Sequence, residues 1–236
     1  MKGLFITGTD TNVGKTYVTV RLLQAFAQTG GPQARVGGFK AFCSGSREDA
    51  ELIAAASRPE APLDLVNPCW FSLPTAPLVA IRQLEAEAYP LQLESIWTAW
   101  EQLCADYDLL LAEGVGGWLA PLLPEMRVSD FAKALDLPVL VVVGNRLGAL
   151  NHTLLTVERI LSDGLVCAGV LLNNPQTTES PRQTEMQTPS RNTNAQMLAE
   201  LLPAGVPFLG ELAAGAEILP DPVVDVLCTI LDWERK

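Results

Sequence analysis

The sequence predicts an α/β fold in which a largely parallel central sheet lies between two layers of helices. Six short runs are rich in Val, Ile, Leu and Phe and are almost continuously apolar, as strands are when a parallel sheet buries both of their faces. Helix-length segments separate these runs, and such alternation is typical of parallel sheets covered on both faces. No internal repeat breaks the pattern, so we predict one domain over residues 1–236.

The predicted strands are, in chain order, "GLFITG", "ARVGGFKAF", "YDLLLAEG", "LPVLVVVGN", "LVCAGVLLNN" and "VPFLGEL". The first predicted helix, "KTYVTVRLLQAFAQT", places Val18, Leu22, Ala25 and Phe26 on one face at helical spacing. Two further helices are predicted over "LESIWTAWEQLCADY" and "NHTLLTVERILSDG", and the second ends at Gly164. Residues 175–194 are poor in apolar residues and rich in Thr, Gln, Ser and Pro, so we predict a mobile surface excursion there.

Composition excludes several classes of function. Lys and Arg total 16 against 27 Asp and Glu, and a net charge of −11 disfavours nucleic acid, whose phosphates need clustered cations. Every apolar run is too short to span a bilayer, and the N-terminal residues lack the pattern of a signal peptide. The five cysteines are widely scattered and none forms a CxxC pair, so we expect neither a zinc site nor a disulfide framework. We therefore expect a cytoplasmic protein that binds neither membranes nor nucleic acid.

The stretch "GTDTNVGKT", residues 8–16, ends in the Gly-Lys-Thr of a phosphate-binding loop, although Gly8 lies one residue earlier than the usual pattern requires. It follows the first predicted strand and opens the first predicted helix, where backbone N–H groups and the helix dipole favour anions. Lys15 could then reach the terminal phosphates of a nucleotide, and the Thr16 hydroxyl could bind Mg²⁺. An ordinary strand–turn–helix junction is the alternative, but this order of elements favours a P-loop NTPase-type fold.

The segment "TGTDTNVGKT" resembles the phosphate loop of dethiobiotin synthetases, a family in which the early Gly8 is usual. Four groups of segments resemble the same family in the same order, although Ala41 stands where the family commonly has Pro. They are "GGFKAFCSGS" with "EDAELI", "NPCWFSLPTAPLVA", "AEGVGGWLAPL" and "VVGNRLGALNHTLLT". The resemblance extends from about residue 3 to residue 174 and is weak beyond it.

The resemblance implies ATP-dependent carboxylation and ring closure of 7,8-diaminononanoate (DAPA) with CO2, by way of a carbamate and a carbamic-phosphoric anhydride. Phosphoryl transfer depends on positioning and charge neutralisation, and the resemblance assigns that work to the catalytic cations Lys15 and Lys40. It also implies Mg²⁺ held by Thr16, Asp49 and Glu113. Glu113 ends an apolar strand, where a carboxylate is costly to bury unless it binds something. Asp49 could instead cap a helix.

The remaining site residues are also implied by the resemblance. Nucleotide contacts fall on Asn12, Val13, Gly14, Lys15, Thr16, Tyr17, Glu113, Gly114, Val115, Gly116, Asn173, Gly210 and Leu212. DAPA contacts fall on Thr11, Asn12, Ser44 and Gly117, and, from the neighbouring subunit of a homodimer, on Gly148, Leu150 and Asn151.

Several of these assignments have alternatives. Asn12 departs from the acidic residue that many relatives have. Asn174 is an alternative to Asn173 as the reader of the base. The Ser44 hydroxyl could instead stabilise the turn in which it lies, and Asn151 could cap a helix. His152, the only histidine, is expected to be structural.

Two other functions fit the same loop. One is an ATP-dependent amide-forming enzyme such as a corrinoid amidating synthetase, but those enzymes normally carry a glutamine-hydrolysing domain that we do not find in this chain. The other is a nucleotide-switched ATPase of the partitioning kind, which usually has an additional lysine near the start of the loop. Thr9 and Asp10 occupy that place here, so the sequence favours the dethiobiotin synthetase reading.

Overall fold

The structure is a computed structural model that describes residues 2–83, 89–175 and 181–235. Its strands are β1 (Lys2–Gly8), β2 (Val36–Phe39), β3 (Phe42–Ser44), β4 (Cys69–Phe71), β5 (Leu109–Glu113), β6 (Pro121–Leu123), β7 (Met126–Arg127), β8 (Val139–Gly144), β9 (Cys167–Asn173) and β10 (Phe208–Leu212). Its helices are α1 (Lys15–Thr29), α2 (Glu48–Ala56), α3 (Leu63–Val66), α4 (Pro77–Gln83), α5 (Tyr89–Asp106), α6 (Val128–Leu135), α7 (Ala149–Ser162), α8 (Pro181–Leu201) and α9 (Asp221–Leu231).

Six strands form the central sheet in the order β10-β9-β8-β1-β5-β2, and every neighbouring pair is parallel. The remaining four strands form two small two-stranded sheets. The predicted α/β fold with a parallel sheet is confirmed, and each of the six predicted apolar runs contains one strand of the central sheet. The reason is burial, because every residue of β5, β8 and β9 is buried.

Helices cover both faces of the sheet, as the alternation along β2 shows. A side chain at Gly38 would meet Leu23 of α1 and Ile53 of α2. The next residue, Phe39, points the other way and packs on Trp100 of α5, with ring centroids 5.3 Å apart. The sheet is therefore the middle of three layers. The carboxyl ends of its parallel strands meet at one edge, where open α/β sheets bind ligands.

We predicted a mobile surface excursion over residues 175–194, but residues 181–194 belong to helix α8 rather than to a loop. Residues 176–180 lie outside the described part of the chain. The helix lacks a long apolar stripe, which is why its sequence reads as a loop. It packs instead through the buried Leu198 and through Asn194, whose side chain is hydrogen-bonded to Asn145 beyond β8. None of the helices in the described ranges is long and apolar enough to cross a membrane.

Candidate active site

The phosphate loop connects β1 to α1 at the ligand-binding edge of the sheet. Its Gly14 has φ +94°, and a Cβ there would lie 2.1 Å from Asn173 Nδ2, so only glycine fits the conformation and the space. The same Asn173 nitrogen donates to the carbonyl oxygen of Val13 at 2.8 Å. The end of β9 thus fixes the loop. Asn12 has φ +60°, a left-handed conformation that Asn tolerates better than most residues.

Lys15 opens α1 and is 7% exposed. Its ammonium donates to the carbonyl oxygen of Asp10 at 2.9 Å. Burial lowers the pKa of Lys15 to about 8; the Glu113 carboxylate opposes this shift, whereas the neighbouring Lys40 adds to it. The ammonium is therefore a poorly solvated charge, and binding an anion would stabilise it.

Glu113 ends β5 and is the centre of a buried polar cluster. One of its carboxylate oxygens accepts from Thr16 at 2.8 Å and from Lys40, and the other accepts from Thr19 at 2.6 Å. Lys40, which follows β2 and is 3% exposed, also lies 3.6 Å from Asp49 Oδ2. Burial lowers the pKa of Lys40, but the carboxylates of Glu113 and Asp49 more than offset it, so this pKa is raised.

The same cluster supplies hard oxygen donors. The carboxylates of Glu113 and Asp49 lie beside the Lys40 ammonium, and the Thr16 hydroxyl donates to Glu113. The described residues contain no group of three His, Cys, Asp or Glu side chains suited to a metal. Mg²⁺ needs few protein ligands because it keeps several waters, so one hydroxyl and two carboxylates fit Mg²⁺ by their chemistry.

A cavity of about 660 Å³ opens beside this cluster. It brings together eleven of the predicted site residues: Thr11, Asn12, Gly14, Lys15, Thr16, Tyr17, Lys40, Ser44, Asp49, Val115 and Gly116. The buried Ser44 Oγ has no hydrogen-bond partner among the described residues. Such a group is costly to leave unpaired, which favours its use by a ligand over the turn role.

Comparison with known proteins identifies the family. A family model described as "AAA domain" matches residues 2–217. A protein of Akkermansia muciniphila named ATP-dependent dethiobiotin synthetase BioD is 37% identical over 93% of this chain and 95% of its own length. A protein of the same name from Xylella fastidiosa is 36% identical over 90% of each chain. This chain belongs to the dethiobiotin synthetase family.

The fold is shared more widely than the family. In the MinC:MinD cell division protein complex of Aquifex aeolicus, the matching chain has a TM-score of 0.50 at 14% identity, covering 98% of this chain and 88% of that one. At that identity the match shows the fold alone. The predicted P-loop NTPase-type fold is confirmed.

Several site residues that the family resemblance predicts do not line the cavity in the structure. The start of α7 contains Gly148, Leu150 and Asn151. Asn173 and Leu212 end β9 and β10, and Gly210 lies in the middle of β10. None of these six lines the cavity. The glycine-rich loop after β5 begins at Gly114 and lies beside the phosphate loop. A Cβ at Gly117 would be 3.6 Å from the carbonyl oxygen of Gly8.

Other residues around the site were not predicted from the sequence. Thr19 contacts Glu113, and Cys43 lines the cavity. Arg21 lies with its guanidinium carbon 4.9 Å from the centroid of the Tyr17 ring and also lines the cavity. The spacing of four residues between Tyr17 and Arg21 on α1 is a signal that could have found this pair.

Asp10 lies near the start of the phosphate loop and is paired with a distant arginine. Its Oδ2 is 2.5 Å from Arg146 Nη2, in the connection between β8 and α7. Burial raises the pKa of Asp10, but the Thr11 N–H group and Arg146 more than offset it, and the pKa is lowered. The phosphate loop is thereby attached to a segment far away in sequence.

Proposed function

We propose that this enzyme carboxylates DAPA with CO2 and closes the ureido ring of dethiobiotin, converting ATP to ADP and phosphate. The observation that carries the proposal is the Lys40 ammonium, which is buried between Glu113 and Asp49 beside the phosphate loop. A buried cation at this place suits a reaction that transfers a negatively charged phosphoryl group from a nucleotide to a carboxylated amine. The names of the relatives given above support the same activity.

In the proposed sequence, one amine of DAPA captures CO2 as a carbamate and releases a proton. A carbamate oxygen then attacks the γ-phosphorus of ATP, and ADP leaves. The second amine attacks the carbonyl carbon of the resulting mixed anhydride and loses a proton, and phosphate leaves as the ring closes. Lys15 and Lys40 neutralise charge on the transferred group, the N–H groups at the start of α1 hold the phosphates, and Ser44 Oγ donates to the carbamate.

Mg²⁺ is the proposed cofactor, and Thr16, Asp49 and Glu113 are its proposed ligands. When bound, it would supply positive charge to the β- and γ-phosphates. For the base, Asn173 is the proposed reader and Asn174 the alternative. The amide of Asn174 is already hydrogen-bonded to Asn145, Glu211 and Leu212, whereas Asn173 uses its amino group in the bond to the carbonyl oxygen of Val13. These contacts favour Asn173.

The active site is proposed to be shared across a homodimer, in which the start of α7 from one subunit holds the DAPA carboxylate of the other. Gly148, Leu150 and Asn151 lie outside the cavity of their own chain, which suits a contribution to a neighbour. Two large apolar side chains on this part of the surface, Leu147 and Leu155, are 62% and 59% exposed, and a second copy would cover them. An enzyme that consumes ATP in this way is expected in the cytoplasm.

Phosphate release from ATP, measured with bicarbonate in the presence and absence of DAPA, tests the proposal. We expect release to require DAPA and to produce dethiobiotin detectable by mass spectrometry. Lys40→Ala should lower kcat by about 100-fold or more with the fold retained by circular dichroism. Lys133→Ala, which removes a lysine from the exposed side of α6, is the matched control and should keep full activity.

Phosphate release that is unaffected by DAPA would contradict the proposal and favour a nucleotide-switched ATPase. Release that instead requires glutamine or ammonia would favour an amidating enzyme.

A further inference from the structure

Helix α8 has a polar stripe that the proposed reaction does not explain. Gln187, Arg191 and Asn194 are spaced at i, i+4 and i+7, which places them on one face of the helix. All three bind one short segment, residues 145–147, in the connection between β8 and α7. We refer to these three side chains as the α8 clamp.

The clamp contacts three consecutive residues. Asn194 Nδ2 donates to Asn145 Oδ1 at 2.9 Å and to the carbonyl oxygen of Arg146 at 3.1 Å. Arg191 Nε donates to the carbonyl oxygen of Asn145 at 3.1 Å. Gln187 Oε1 accepts from the backbone N–H of Leu147 at 2.6 Å. Three of these four hydrogen bonds are to backbone atoms of residues 145–147, so they fix the backbone path of this segment.

The clamp is buried where it meets the segment. Asn145 and Asn194 are 2% and 3% exposed, and a buried amide destabilises the protein unless its hydrogen bonds are made. Asn145 Nδ2 makes further contacts with Asn174 Oδ1 at 2.9 Å and Glu211 Oε1 at 3.0 Å. A network satisfied on all sides holds its members in one arrangement.

On its other side the segment is attached to the phosphate loop by the ion pair of Arg146 with Asp10. The segment is followed by Gly148, the residue before α7, whose φ of +90° turns the chain into the helix. Any shift of residues 145–147 would therefore move the start of α7 relative to the phosphate loop.

We propose that the α8 clamp positions the start of α7 for binding the DAPA carboxylate. The inference rests on the proposed function, because that function assigns the α7 terminus to DAPA. Gln187, Arg191 and Asn194 are positioning residues, since they act through the backbone of residues 145–147 and contact no reacting atom. This role accounts for a helix that is attached by polar side chains where an apolar stripe would ordinarily serve.

Steady-state kinetics of Asn194→Ala test the proposal. Removing the carboxamide frees both Asn145 Oδ1 and the Arg146 carbonyl, so the KM for DAPA should rise by about tenfold, the equivalent of one or two hydrogen bonds. The kcat at saturating DAPA and the KM for ATP should stay within about twofold of wild type. Gln196→Ala is the matched control, because Gln196 lies on the same helix and contacts Glu200 of that helix; its KM for DAPA should not change.

Gln187→Ala provides a second test that removes no fully buried group, so it serves even if Asn194→Ala fails to fold. It should raise the KM for DAPA in the same direction by a smaller factor. An unchanged KM for DAPA in Gln187→Ala and in any folded Asn194→Ala would overturn the inference. So would a rise confined to the KM for ATP, which would assign the network to the base through Asn174. Absence of DAPA-dependent turnover in the wild type would instead contradict the proposed function.

Discussion

The depressed pKa of Lys15 predicts that nucleotide affinity depends on pH. In the free protein this pKa is about 8, and a bound triphosphate would raise it by placing negative charge beside the ammonium. Nucleotide therefore binds the protonated form, and affinity should fall as pH rises through 8. With one such group, Kd should increase by about tenfold between pH 7.5 and pH 9. Lys40 stays charged throughout because its own pKa is raised.

Isothermal titration calorimetry with a non-hydrolysable ATP analogue and Mg²⁺ measures both affinity and proton uptake. Titrations at pH 8 in two buffers of different ionisation enthalpy should show an uptake of about half a proton. Lys15→Met is the control variant: its Kd should be weak and constant over this pH range, and its proton uptake should vanish. Because every other ionisable group is retained in that variant, the comparison assigns the titration to Lys15.

Raising the pH should stabilise the fold through Lys15 although it weakens nucleotide binding, so the two effects of this residue can be distinguished. The pKa of Lys15 is lower in the folded chain than its ordinary 10.5, so between pH 8 and 10.5 the unfolded chain binds more protons. The free energy of unfolding attributable to Lys15 therefore rises with pH in that window. A Kd that stays constant from pH 7.5 to 9 in the wild type, with no proton uptake, would refute the reasoning.

Two further predictions concern the metal and the subunit interface. Asp49→Asn should raise the Mg²⁺ concentration needed for half-maximal activity with little change in stability, because the Asp49 side chain is half exposed. Glu113→Gln should raise it too and also destabilise the fold by about 3 kcal/mol, since it breaks a buried ion pair; unchanged Mg²⁺ titrations would remove either residue from the site. Sedimentation should show a dimer, and mixing inactive Lys40→Ala with a variant made inactive by bulky residues at Gly148 and Asn151 should restore activity. A fully active monomer would contradict the shared site.

The central sheet could be predicted from the sequence because its strands are buried on both faces and their apolar runs are nearly continuous. The phosphate loop could be predicted because its residues are adjacent in the chain. Helix α8 could not, because its attachment depends on guanidinium and amide groups that bind Asn145, which lies 46 and 49 residues away in the sequence. A polar helix of this kind has no apolar periodicity to reveal it.

The parts of the site that escaped prediction are pairs brought together by the fold. Thr19 lies on an interior turn of α1, and nothing near it in sequence indicates that its hydroxyl reaches Glu113 at the end of β5. Asp10 can be recognised in the sequence as an acidic residue of the phosphate loop, but its partner Arg146 is 136 residues away and could not be inferred. Such pairings depend on strand order, which apolar patterning alone does not give.

The contact between Gly14 and Asn173 limits how this enzyme can be redesigned. The Asn173 carboxamide fills the space that a Cβ on Gly14 would need, and it also holds the carbonyl oxygen of Val13. A phosphate loop transplanted from another NTPase would therefore lose an anchor unless the residue at position 173 were transplanted with it. Libraries that vary residues 12–16 should accordingly vary position 173 in the same clones, since its side chain contacts the loop directly.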